Sequence, residues 1–164
     1  MTGLIRRTLC NSRSGLVARR VKRGEGNSLV DSEHRPRLLV ACCSEHRSEW
    51  YRLTLTSFGF DVSVAAGGLD CVALLRRLPQ LLLLEAELAW GGADGVLAIR
   101  QEEAALRDIP VVLAAIDGVS ASVYQLARYS IQGYFSRIPA AKDLAGYLHH
   151  ALRNSQSPDH VASV

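Results

Sequence analysis

The stretch Leu81–Gly95, LLLLEAELAWGGADG, decides how the rest of the chain is read. Four leucines run without a break into Glu85, with Pro79 before them and Gly91 and Gly92 after them. A short uninterrupted apolar run between such breakers reads as a strand buried on both faces, the kind found in parallel sheets. An acidic side chain stands where that strand emerges, and in an open parallel sheet ligands bind at the carboxyl ends of the strands. Glu85 is therefore a candidate site residue. The residues that join it decide what the site can do.

Working outward, Arg37–Cys43 (RLLVACC) reads as a first strand and Asp61–Ala66 (DVSVAA) as a second. Between them Ser44 is suited to cap a helix with Glu45 in its first turn, and Trp50, Tyr51, Leu55 and Phe58 recur at helical spacing until Gly59. Leu69–Leu78 is a second helix, closed by Pro79. After the leucine strand, Asp94 is suited to cap a helix over Gly95–Arg107. Asp108–Ile116 follows as a fourth strand with Pro110 near its start, then a helix across Ser120–Ser130. Gly133–Ile138 is a fifth strand. Leu144, Leu148, Ala151 and Leu152 give the last helix its buried stripe, and His149, His150 and Arg153 suit its carboxyl end. Five strands alternating with five helices imply a parallel sheet with helices on both faces.

Composition agrees with one such domain plus an extension. The chain has 164 residues, 48% hydrophobic and 21% charged, enough apolar material for a core, while aromatics at 6% leave aliphatic side chains to fill it. Residues 1–37 carry nine Arg/Lys against three acids, a net of +6, whereas 38–164 carry ten against thirteen, a net of −3. The expected organisation is a basic N-terminal extension over residues 1–36, a folded domain over 37–153 and a polar tail over 154–164. The extension has no periodicity that could bury a face. Its composition leaves open a mobile tail or a start placed too far upstream, a segment that meets nucleic acid or another anionic surface, and a transit-like leader. No apolar run approaches the roughly 20 residues of a membrane span. Cys10, Cys42, Cys43 and Cys71 show no metal-ligand spacing, and neighbouring Cys42 and Cys43 point to opposite faces of a strand, so free thiols in a reducing compartment are expected.

Nucleotide folds built on the same sheet are excluded by their motifs. There is no G-x-x-x-x-G-K-[ST], and ACCSEH rather than a glycine-rich turn follows the first strand. The order of LLVACC, SFGFDVSVAAGGLDCVALLRRLP, PQLLLLE, ADG, DIPVV and GYFSRIP closely resembles the receiver domain of bacterial response regulators over Arg37–Arg153. That resemblance implies a flavodoxin-like sheet in the order 2-1-3-4-5. It also implies a site that this chain has altered. The acidic pair that holds Mg²⁺ in the family falls at Cys42 and Cys43. The acceptor aspartate falls at Glu85, the hydroxyl residue after the fourth strand at Ala115 and the fifth-strand lysine at Arg137. Ile138 replaces the proline that normally follows that lysine, and the loop from Glu85 to Gly95 is two residues longer than usual. Tyr134 stands at the switch aromatic, which turns inward on activation in the family.

Two thiols are poor ligands for a hard cation. The longer glutamate moves its carboxylate by about 1.5 Å in a reaction that depends on positioning. The expectation is a pseudo-receiver without enzymatic activity, cofactor or bound Mg²⁺, cytoplasmic, acting in two-component signal transduction through protein–protein contacts that do not need phosphorylation. Partners, or a second copy, are expected on the face of the fourth helix, fifth strand and fifth helix, near Tyr129, Tyr134 and Tyr147. No output domain is expected after the last helix. An ion pair between Glu85 and Arg137 is expected to hold the pocket in one state, against the simpler alternative of Glu85 solvated at a strand end. The competing functions are a thiol-dependent or ligand-binding α/β protein using Cys42 and Cys43, with only His46 near enough to serve as a base, and a regulator associated with nucleic acid through its basic extension.

Overall fold

The computed structural model describes residues 35–89, 91–115, 125–126 and 128–155. Five strands, β1 (Arg37–Ala41), β2 (Asp61–Ala65), β3 (Leu81–Glu85), β4 (Val111–Ala114) and β5 (Gly133–Phe135), form one parallel sheet in the order β2-β1-β3-β4-β5. The helices are α1 (Glu45–Ser57), α2 (Gly68–Leu75), α3 (Gly92–Glu102) and α4 (Ala141–Ser155), the last being the fifth helix expected from the sequence. Most of the helix expected across Ser120–Ser130 lies outside the described residues.

The sheet divides the core by the two-residue period of its strands. Leu82 and Leu84 face one layer with Leu39, Leu113 and residues of α2 and α3; Leu81 and Leu83 face the other with Val40, Val112 and residues of α1 and α4. All four leucines of β3 are fully buried. β3 is thus the central strand that the leucine run implied.

Element boundaries differ from expectation where glycine rather than an acid sets the start. Asp94 does not cap α3; Gly91, at φ 97°, stands at the cap and Asp94 falls in the first turn. A left-handed residue is cheap only for glycine, so the GG pair admits the turn three residues earlier than the aspartate would. α1 begins as expected, with the Ser44 hydroxyl accepting from the Arg47 amide at 3.4 Å. Its buried stripe is Tyr51 and Leu55, whereas Phe58 at the cap is 39% exposed. The strands also stop one to three residues short of their apolar runs, so Cys42, Cys43 and Ala115 lie just beyond strand ends.

Two arginines hold connections together. Arg37 donates to the Leu78 carbonyl at 2.9 Å. Arg100, only 5% exposed, donates to the carbonyls of Arg107 and Ile109 at 2.7 Å and of Ser130 at 3.2 Å. Burial holds its pKa below the usual arginine value, and the nearby Asp108 charge opposes that shift. His149 does not serve the end of its own helix. Its Nε2 lies 3.0 Å from the Phe58 carbonyl at the end of α1, and its ring stacks on Phe60.

Candidate functional site: a closed acidic pocket at the strand ends

Glu85 ends β3 opposite Ala114 of β4, at the carboxyl edge of the sheet. It is not solvated: its exposure is 0%. An unpaired carboxylate there would be too costly to stay charged. Its partner is Arg47, not Arg137. Arg47 Nε donates to Glu85 Oε1 at 3.0 Å and Nη2 to Oε2 at 3.2 Å, a two-pronged fork across the carboxylate. That hydrogen-bonded contact raises the Arg47 pKa above its ordinary value. Arg137 lies exposed beyond β5. Both expectations for Glu85, the Arg137 pair and the solvated side chain, are corrected by this contact.

The local sequence explains why Arg47 reaches the site. Ser44 caps α1, which places Arg47, Tyr51 and Leu55 on one stripe at four-residue intervals. Tyr51 and Leu55 continue that stripe into the core, and Arg47 sits where it meets the end of β3. The available signal in the sequence is a cation in line with a buried stripe, and Arg47 was not among the site residues expected from it.

The remaining candidates divide. Cys42 is buried; its thiol donates to the Ser44 carbonyl at 3.4 Å, and the Ser48 hydroxyl donates to the Cys42 carbonyl at 3.2 Å. Burial pushes the Cys42 thiol up, the Ser48 contact opposes that, and Glu85 adds to the rise. Cys43 is exposed, its sulfur 3.6 Å from the Glu87 carbonyl. Ala115 is fully buried and offers only a methyl group. Tyr51 joins the cluster unannounced. Its hydroxyl is buried with no hydrogen-bond partner among the described residues, and burial first, then the charge of Glu85, raises its pKa.

The donor set does not suit Mg²⁺. A hard cation wants several oxygens. Cys42 and Cys43 offer sulfur, and both oxygens of Glu85 are engaged by a guanidinium. Among the described residues, no group of three His, Cys, Asp or Glu could hold a metal ion.

Around the last strand, Tyr134 is 46% exposed. Tyr129, expected at that surface, is instead buried, with its hydroxyl donating to Asp94 at 3.0 Å beside the Arg128–Asp94 contact at 2.6 Å. Tyr147 is half-buried against Phe135 and covers Gly133, where a Cβ would collide with its hydroxyl.

No family model and no curated protein matches this sequence. Solved structures do match its fold. The receiver domain of sensor histidine kinase PA1611 from Pseudomonas aeruginosa PAO1, described with magnesium in its active-site cleft, aligns with a TM-score of 0.68 at 13% identity, covering 73% of this chain and 98% of that one. The signal receiver domain of a putative LuxO repressor protein from Vibrio parahaemolyticus gives 0.66 at 21%, covering 79% and 99%. The N-terminal domain of a response regulator/sensory box/GGDEF protein from Carboxydothermus hydrogenoformans gives 0.62 at 24%, covering 72% and 94%. The chain therefore has the receiver fold, with the five-stranded sheet in the order expected from its sequence. Among the described residues, no helix is long and apolar enough to cross a membrane.

Proposed function

We propose that the folded domain is a pseudo-receiver: a cytoplasmic, non-enzymatic interaction module of two-component signalling that works without phosphorylation and without Mg²⁺. The observation that carries this reading is the two-pronged Arg47–Glu85 pair. In-line attack on a phosphoryl group needs a carboxylate oxygen free to approach phosphorus and a cation to neutralise developing charge. Here the guanidinium engages both oxygens, so neither is free to approach phosphorus. Cys42 and Cys43 in place of the acidic pair, and Ala115 in place of a hydroxyl, support the same conclusion. With no hydroxyl at Ala115 there is no group to draw Tyr134 inward, and its outward position keeps the β5–α4 face constant for a protein partner.

The thiol-enzyme alternative is weakened by a buried Cys42 whose pKa is raised rather than lowered. The test is intact-mass measurement of the full chain after incubation with Mg²⁺ and a small acyl-phosphate donor. The expected result is an unmodified mass. A stoichiometric phosphoryl adduct lost in Glu85→Gln would overturn the proposal.

A further inference from the structure

The sheet has an outer edge at β2, where among the described residues only β1 pairs with it. The direction of the ladder can be read from its ends. The Asp61 amide donates to the Pro36 carbonyl and the Cys42 amide to the Ala65 carbonyl, both at 3.0 Å. Asp61 and Ala65, and Ser63 between them, therefore turn their backbone groups toward β1. Val62 and Val64 turn theirs away. The four outward groups, two N–H and two C=O, make no hydrogen bond to the described residues. The valine side chains pack against α1 and remain half-exposed. They border two open clefts, of about 520 Å³ beside Val64 and about 280 Å³ beside Val62, with Arg52 of α1 lining both.

We propose that this edge is a homodimer interface, with β2 of a second copy added antiparallel about a two-fold axis through Ser63. The register supplies the reason for choosing a second copy. Pairing about Ser63 sets Val62 opposite Val64 of the other copy, and that pairing satisfies all four outward groups on each chain at once. Asp61 falls opposite Ala65, so no like charges meet across the pair. Arg52, which lines both clefts, pairs with Glu49 on the same helix at 2.6 Å, a charge pair of both signs that the same pair of a second copy would complement. β2 carries neither Pro nor Lys, the usual guards of a free edge. This interface lies on the opposite edge of the sheet from β5 and does not depend on the state of Glu85.

The test measures the mass of the full chain in solution by light scattering across a concentration series, for wild type, Val64→Pro and Tyr134→Ala. Val64→Pro removes an N–H that β1 does not use, so the fold should survive, as circular dichroism will report. The expected result is a wild-type dimer whose dissociation constant rises about tenfold or more in Val64→Pro and is unchanged in Tyr134→Ala. Ser63→Cys in a Cys10→Ser, Cys43→Ser background should give a covalent dimer under mild oxidation, because non-hydrogen-bonded antiparallel partners stand about 4.5 Å apart, within disulfide reach. That trap reads the interface even if the proline variant unfolds. A monomeric wild type, a dimer lost only in Tyr134→Ala, or failure of Ser63→Cys to cross-link would each overturn the proposal.

Discussion

The chemistry of this protein rests on one exchange of partners at the residue scale. Glu85 is fully buried, and its charge is tolerable because Arg47 bonds to both of its oxygens. Removing one member of such a pair leaves an uncompensated buried charge, so Arg47→Ala should lose about 3 kcal/mol of stability in urea melts. Replacing both residues by apolar ones, Arg47→Met with Glu85→Leu, should restore most of that loss; a double variant no better than Arg47→Ala would show that the pair is not the cause. Glu85 was legible in the sequence because an acid at the end of a four-leucine run is conspicuous. Its partner was not. Arg47 is 38 positions away and reads as an ordinary helix-surface cation until the Ser44 cap fixes which side of α1 faces the sheet. Arg137 was the wrong choice because it was placed by family position, with nothing in its own surroundings to direct its side chain inward.

At the scale of elements, the strands were the most legible part of the chain. Burial on both faces leaves β1, β3 and β4 almost no polar residues, and such a run has few other readings. Helix ends were less so, as α3 shows. Two left-handed glycines, Gly91 at its cap and Gly92 at its first position, open it, and the acid that looked like a cap is used elsewhere, on Tyr129 and Arg128. The end of α2 carries a conflict of its own. Leu78, φ 56° and 47% exposed, is the one non-glycine residue at positive φ among the described residues. Its amide bonds to the Leu75 carbonyl, and Arg37 holds its own carbonyl in place. The following proline disfavours the right-handed helical region at this position. Leu78→Gly should therefore stabilise the protein by up to about 1 kcal/mol in urea melts; a loss of stability would mean that the leucine side chain contributes more than its exposure suggests. At the other edge of the sheet, Gly133→Ala should cost about 1–3 kcal/mol, since the new methyl group displaces the Tyr147 ring. An unchanged thermal midpoint would contradict that packing.

For the whole molecule, the two core layers enclose groups whose loss of a proton is disfavoured by burial. Burial pushes Cys71 up to about 12 from 9.0, and it raises Cys42 and Tyr51 in the same direction. A group whose folded pKa is raised adds stability that is full below its unfolded pKa and is lost as pH rises toward the folded value. Stability should thus be level with respect to these groups near pH 7. It should fall above about pH 9 through the two thiols and above about pH 10 through Tyr51 as well, by up to roughly 1.4 kcal/mol per pH unit for each group. Urea melts from neutral to alkaline pH check this, and Cys71→Ala should flatten the slope; a wild-type curve level to pH 11 or so would contradict the burial of these side chains. The larger claim concerns the carboxyl edge of the sheet, where a receiver scaffold surrounds a pocket closed by its own ion pair. The most direct test is titration of the ¹⁵N-labelled full chain with Mg²⁺ and beryllofluoride while following amide shifts. The account predicts no saturable change at Glu85 or Tyr134, and saturable, coupled shifts at both positions would contradict it.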